Sequence, residues 1–138
     1  MSQLYNKDIS GPKEIDLIVP LLPEIVRIVR LTVSGIASGM GFSIDEIEDI
    51  KVSVAEICNR IIIQAESISD RCLIRFYIFE KQLKVSFKFE SKKPNSFQLF
   101  DEDDIFGVSI VNSLVDEVDV HTSEDEEIVT LSISLKEN

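Results

Sequence analysis

Histidine occurs once in this chain, at His121, tryptophan is absent, and there are only two cysteines. A lone histidine leaves no ready Ser-His-Asp set and no histidine-rich metal site. His121 falls at a strand-loop junction, where an ordinary structural role is the default. Cys58 and Cys72 lack CxxC spacing, which argues against a disulfide framework. One falls on a predicted helix and the other opens a predicted strand, so both read as small buried hydrophobes. GxGxxG and GxxxxGK[ST] are missing, and Gly107 stands alone where a phosphate loop would need several glycines. No apolar run approaches the ~20 residues that span a bilayer. The opening "MSQLYNKDISGPKE" has no apolar signal core. A cytoplasmic, reduced protein is expected.

Basic residues are scarce too. Lys and Arg number 14 against 25 Asp and Glu, a formal charge of −11. Phosphate backbones are held by clustered Lys and Arg, so nucleic acid is disfavoured, as is an anionic membrane surface. A basic protein partner or a cationic site suits this charge better. Part of the excess is local, in "FDEDD" (Phe100 to Asp104) and "EDEE" (Glu124 to Glu127), which read as solvated loops.

What is present is the material of one globular domain. The 138 residues are 44% hydrophobic and 28% charged. A chain of that length buries roughly two-thirds of its unfolded surface and carries a core without metal or disulfide. Residues 1–12 read as a flexible tail, and residues 13–138 as a single domain. "KEIDLIVP" (Lys13 to Pro20) predicts a strand ended by proline, and Pro23 suits the first turn of a helix. That helix carries Ile25, Ile28, Val29, Leu31, Ile36 and Met40 at near-helical spacing. Arg27 and Arg30 lie on its more polar side, and Gly39 and Gly41 lie at its end.

The second helix has the clearest start. Ser43 and Glu46 form a capping box, and Asp45, Glu46, Glu48 and Asp49 favour the positive end of the helix dipole. Ile44, Ile47, Ile50, Val54, Ile57, Ile61 and Ala65 make its expected buried stripe. A hairpin follows, "RCLIRFYIFE" and "KQLKVSFKFE", joined by Glu80, Lys81 and Gln82. Leu83, Val85, Phe87 and Phe89 alternate with Lys84, Ser86, Lys88 and Glu90. After a polar loop comes a helix with Ile105, Val108, Val111 and Leu114 buried, then two strands around an acidic turn. The expected fold class is an α/β (α+β) two-layer sandwich: one mixed, mostly antiparallel sheet with three helices on one face.

The stretch "RLTVSGIASGMGFSIDEIEDIKVSVAEICN" (Arg30 to Asn59) resembles the anti-sigma factors of the RsbW and SpoIIAB type. These are small serine-protein kinases of the histidine-kinase-like (GHKL, Bergerat-fold) ATPase superfamily. The likeness continues through "IRFYIFEKQLKVSF" and "SLVDEVDV", and covers roughly Glu14 to Leu135. It implies a histidine-kinase-like ATPase fold, an ATP and magnesium site, a serine-phosphorylating activity and dimers formed through a sheet edge and neighbouring strands. In the family a helix carries Glu-Ala-x-x-Asn, with the Glu as general base and the Asn on magnesium. The matching stretch here runs from Glu56 to Arg60. The base position keeps Glu56, but Arg60 stands at the metal-ligand position. Asn59 is one residue early, about 100° around a helix.

Other family positions depart as well. The adenine-binding Asp-x-Gly is matched by Phe89, Glu90 and Ser91. Phe89 offers no acceptor, and Ser91 places a side chain where the family has none. The ATP lid is replaced by a shorter loop ending Asp104, Ile105, Phe106, Gly107. Asp104 adds negative charge where phosphate would approach, whereas phosphate sites want N–H groups and positive charge. Gly107 and Thr130 are the remaining matches. The metal ligand, adenine acceptor, glycine loop and lid are thus altered together, and the resemblance implies a degenerate ATP site with no bound cofactor. Glu56 and Arg60, spaced i, i+4, suit an ion pair. It is either a pair in which Arg60 supplies the charge magnesium once gave, or an ordinary surface pair. Arg30 matches the arginine with which the family contacts both sigma factor and antagonist, with Arg27 beside it; a solvated arginine is the alternative.

Three functions follow from the resemblance. The first is a regulator that binds a sigma factor or a STAS-type antagonist without a kinase step. The second is an active serine-protein kinase, and the third a non-catalytic subunit paired with an intact homologue. The first fits Arg60, Phe89, Ser91 and the short lid best. A cytoplasmic homodimer is the expected form.

Overall fold

Alternation along the strands builds the sheet. In the computed structural model, which describes residues 13–65, 71–91, 105–123, 125 and 128–137, eight elements follow in order. They are β1 (Lys13–Pro20), α1 (Ile25–Met40), α2 (Ile44–Ala65), β2 (Arg71–Ile78), β3 (Gln82–Glu90), α3 (Ile105–Leu114), β4 (Glu117–Ser123) and β5 (Ile128–Lys136). The proposed tail, the acidic run ending at Asp104 and the shortened lid lie outside the described residues.

The strand order is β1-β2-β3-β5-β4. Every pairing is antiparallel, so the sheet is antiparallel throughout rather than mixed. The β2–β3 hairpin forms as read: the Phe79 N–H donates to Gln82 O at 2.9 Å, although Gln82 already belongs to β3. Leu83, Val85, Phe87 and Phe89 are all buried, and register sets them beside Ile78, Phe76, Ile74 and Cys72 of β2. Val129, Ile133 and Leu135 of β5 extend the same rows. These side chains join the helices in one hydrophobic core, so the helices cover one face of the sheet and leave the other open.

A turn at Leu22–Glu24 leads into α1. Pro23 sits in that turn rather than in the helix, and its carbonyl accepts the Val26 N–H at 3.3 Å. The C-terminus closes on Gly41, whose φ of 102° is the left-handed conformation that glycine adopts without a Cβ clash. Gly39 is still within the helix. The buried stripe of α1 takes in only part of its apolar content. Ile25, Val29, Val33 and Ala37 are buried at strict i, i+4 spacing, whereas Ile28 and Leu31 are 50% and 66% exposed.

The capping box of α2 is closed in both directions. The Ser43 N–H donates to Glu46 Oε1 at 2.9 Å and the Glu46 N–H donates to Ser43 Oγ at 3.1 Å. Ile50, Val54, Ile57 and Ile61 are buried as expected, joined by Ser53, Cys58 and Ile62. Ile44 is a correction: at the first helical position it projects past the core and is 80% exposed. Val111 of α3 is buried and Leu114 is half-buried; the side chains at 105 and 108 lie outside the described residues.

Candidate functional site

Helix α2 determines which groups meet. Its core stripe fixes the rotation, and Glu56 and Arg60 then fall one turn apart on its flank. Arg60 Nε donates to Glu56 Oε1 at 3.1 Å, with each side chain about a quarter exposed. Half-burial makes this more than a solvated pair, although i, i+4 pairs contribute only a few tenths of a kcal/mol, roughly. Asn59, one position round the helix, is exposed and does not share that flank. The structure therefore brings Glu56 and Arg60 together and leaves Asn59 out.

Phe89 and Ser91 close the end of β3, exposed by only 4% and 6%. Phe89 belongs to the same core as Ile57 and Ile61, so an aromatic ring fills the inner face of the strand end. Thr130 does not join them. It stands in register with Lys88 and His121 on the open face of the sheet, opposite in parity to the buried Val129 and Ile133. Its hydroxyl is on the far side of the sheet from Glu56. Gly107 is the third residue of α3, already inside the helix rather than in a loop before it. Of the matched positions, Glu56, Arg60, Phe89 and Ser91 thus lie on the helix-covered side, and Thr130 does not.

The two thiols lie beneath this region, Cys58 on α2 and Cys72 on β2, both buried and unpaired as a disulfide. Burial pushes the Cys58 thiol up to about 12. Burial, with a smaller push from the neighbouring Cys58, raises Cys72 to about 12 as well. At pH 8 the folded protein then holds roughly one thiolate in ten thousand at each site, and alkylation should wait for unfolding. The linkage has a definite sign. A folded value above the unfolded one, near 9.0, gives stability that is complete below pH 9 and lost as pH climbs through 12. Unfolding free energies from urea titrations under reducing conditions should fall from pH 9 upward, by about 1.4 kcal/mol per pH unit and thiol. A Cys58→Ala/Cys72→Ala variant should show a flatter profile.

Helix α1 carries the other candidate residues. Arg27 and Arg30 are exposed, and Ile28 and Leu31 lie exposed between and beside them. The helix has no acidic residue, IVRIVRLTVSGIASGM, on a chain of net charge −11. The near-helical spacing of Ile28 and Leu31 in sequence does not show that they share an exposed surface with the arginines. The strict i, i+4 run of Ile25, Val29, Val33 and Ala37 is the signal that separates the two faces.

Among the described residues, no group of His, Cys, Asp and Glu is arranged to hold a metal ion. No described helix is long and apolar enough to cross a membrane.

Comparison with known proteins gives a consistent result. The model of the histidine kinase-like ATPase domain matches residues 19–133. The serine-protein kinase RsbW of Bacillus subtilis is 43% identical over 88 residues, which cover 57% of this chain and 55% of that protein. RsbW of Bacillus velezensis is 33% identical over 125 residues, covering 79% of this chain and 78% of its own. The chain spans about half the length of the first curated relatives it matches, 55% and 46% of them. Among solved structures, the RsbU and RsbW domains of a Mycobacterium tuberculosis protein superpose with a TM-score of 0.68 at 11% identity. That match covers 91% of this chain and 32% of the other. At such low identity it shows the fold.

Proposed function

Because the chain belongs to the histidine kinase-like ATPase domain family, in its RsbW branch, we propose that it is a degenerate anti-sigma-type regulator. On this reading it acts by binding a protein, a sigma factor or a STAS-type antagonist, and has no phosphorylation step. The Arg60–Glu56 ion pair carries the proposal. Magnesium takes oxygen ligands in a near-octahedral shell, whereas Arg60 offers only N–H donors on a fixed cation. Phe89 has no acceptor for an adenine amino group, and the loss of one buried hydrogen bond costs about 1–3 kcal/mol. The residues at these positions do not fit magnesium–ATP.

What remains is a binding surface. Arg27, Ile28, Arg30 and Leu31 give α1 the arginine and apolar content that concentrates binding energy at interfaces. A cytoplasmic homodimer completes the reading. The test is capture from native cells with the tagged full chain, identified by mass spectrometry, beside incubation of the captured protein with ATP. A sigma factor or STAS-domain protein, recovered and left unphosphorylated, supports the proposal. Recovery of an intact homologous kinase instead assigns a subunit role. Serine phosphorylation at turnover rates overturns it in favour of an active kinase.

A further inference from the structure

β4 ends the sheet, with β5 on one side and no strand on the other among the described residues. We propose that this edge is a docking strand for an extended segment of a partner protein in which basic and apolar residues alternate.

Register carries the apolar half of the argument. The row Leu17, Ile74, Phe87, Leu131, Val120 crosses all five strands on the core side. It starts at the half-buried Leu17 of β1, passes through the fully buried Ile74 and Phe87, and stops at a valine that is 42% exposed. Val118, one pair along, is only partly buried against the same core. An added strand would place every second side chain over Val118 and Val120 and complete these rows.

Charge carries the other half. Glu117 and Asp119 are exposed on the opposite, open face of β4. They line a cleft of about 160 Å³ whose floor includes Ser132 and Ser134 of β5. Lys84 also borders that cleft, but its amine lies 5.7 Å from the Tyr77 ring, turned toward β2 and away from the edge. Charged side chains on an edge strand normally deter pairing with other strands. Here the deterrent has one sign. A second β4 would bring two more carboxylates to the same face and answer neither, because like charges across strands repel. A strand presenting Lys or Arg to the open face answers both.

The edge is also held ready. The Asp116 N–H donates to Ser134 O at 2.9 Å, and Asp116 Oδ2 accepts the Lys136 N–H at 2.6 Å. These bonds fix the first residue before β4 against β5, so the strand need not be ordered by its guest. This surface is separate from α1 and does not depend on the fate of the nucleotide site.

The test uses the full chain and three synthetic peptides matching the 7 residues of β4 in length. One alternates lysine and valine, one has the same composition in blocks, and one alternates glutamate and valine. Affinity is measured by calorimetry and location by amide hydrogen exchange. The alternating lysine peptide is expected to bind and to slow exchange in β4. Glu117→Lys with Asp119→Lys should weaken it by about tenfold and raise affinity for the glutamate peptide. If that double variant does not fold, Asp119→Asn should weaken the lysine peptide by roughly threefold. Equal binding of the block peptide, slowed exchange away from β4, or no binding of the alternating peptide overturns the proposal. So does slowed exchange in β4 that rises with protein concentration alone, which would assign the edge to a second copy.

Discussion

Replacing both α1 arginines by glutamate, Arg27→Glu with Arg30→Glu, is expected to weaken partner binding by about a hundredfold or more. The comparison is made on whichever sigma factor or STAS-domain protein the unaltered chain captures. A hundredfold is about 2.7 kcal/mol. Truncating one buried, charge-paired arginine at an interface alone costs roughly 2–5 kcal/mol, and reversal adds repulsion to that loss. Both side chains are exposed on a helix without acidic residues, so the fold should not register the change. Surface substitutions of this kind stay within about 0.5 kcal/mol of the parent. Surface plasmon resonance gives the affinity and urea denaturation gives the stability. Binding retained in a folded double variant would place the partner elsewhere on the molecule.

Phe87→Ala is expected to have the largest effect on stability. Phe87 is fully buried in the third of five strands, in register with Ile74 on one side and Leu131 on the other. Removing an aromatic ring from a closed core loses its transfer free energy and leaves a cavity, together about 3–5 kcal/mol. That is about a fifth or more of the stability a domain of this size usually has, which is about 5–15 kcal/mol. A urea titration should show a large drop in midpoint with an unchanged slope. Ile18→Ser is the natural control. Ile18 lies on the open face and is 67% exposed, so its loss should cost about 0.5 kcal/mol or less.

Those two positions also show what sequence makes legible. Phe87 belongs to a period-two run whose parity fixes one face without reference to the rest of the fold, and the structure follows it residue for residue. The Ser43–Glu46 capping box was equally local: two side chains and two N–H groups within one turn decide where α2 starts. Helix α1 was harder. Apolar residues occur on most of its circumference, so Ile28 and Leu31 fit a helical pattern as well as Val33 and Ala37 do. Only the sheet and α2 decide which stripe they cover. Ile44 fits the α2 period but lies one turn beyond the core, and periodicity carries no information about where a core ends.

The candidate site was legible in the same uneven way. The i, i+4 spacing of Glu56 and Arg60 is a local fact and produced the expected ion pair. Thr130 matched by position in the chain. Its place depends on strand register, where a shift of one residue exchanges the two faces, and register turned its hydroxyl away from α2. The exposed edge at β4 was invisible in sequence, because the order β5-β4 at the sheet end follows from the whole topology.

The central claim is that this scaffold no longer holds a nucleotide. It is tested most directly by titrating ATP with magnesium into the unaltered chain and into Arg60→Asn, with calorimetric detection. The account predicts no binding in the micromolar range for either protein, because Phe89 and Ser91 remain after Arg60 is replaced. A micromolar dissociation constant in the unaltered chain, dependent on magnesium, would contradict it.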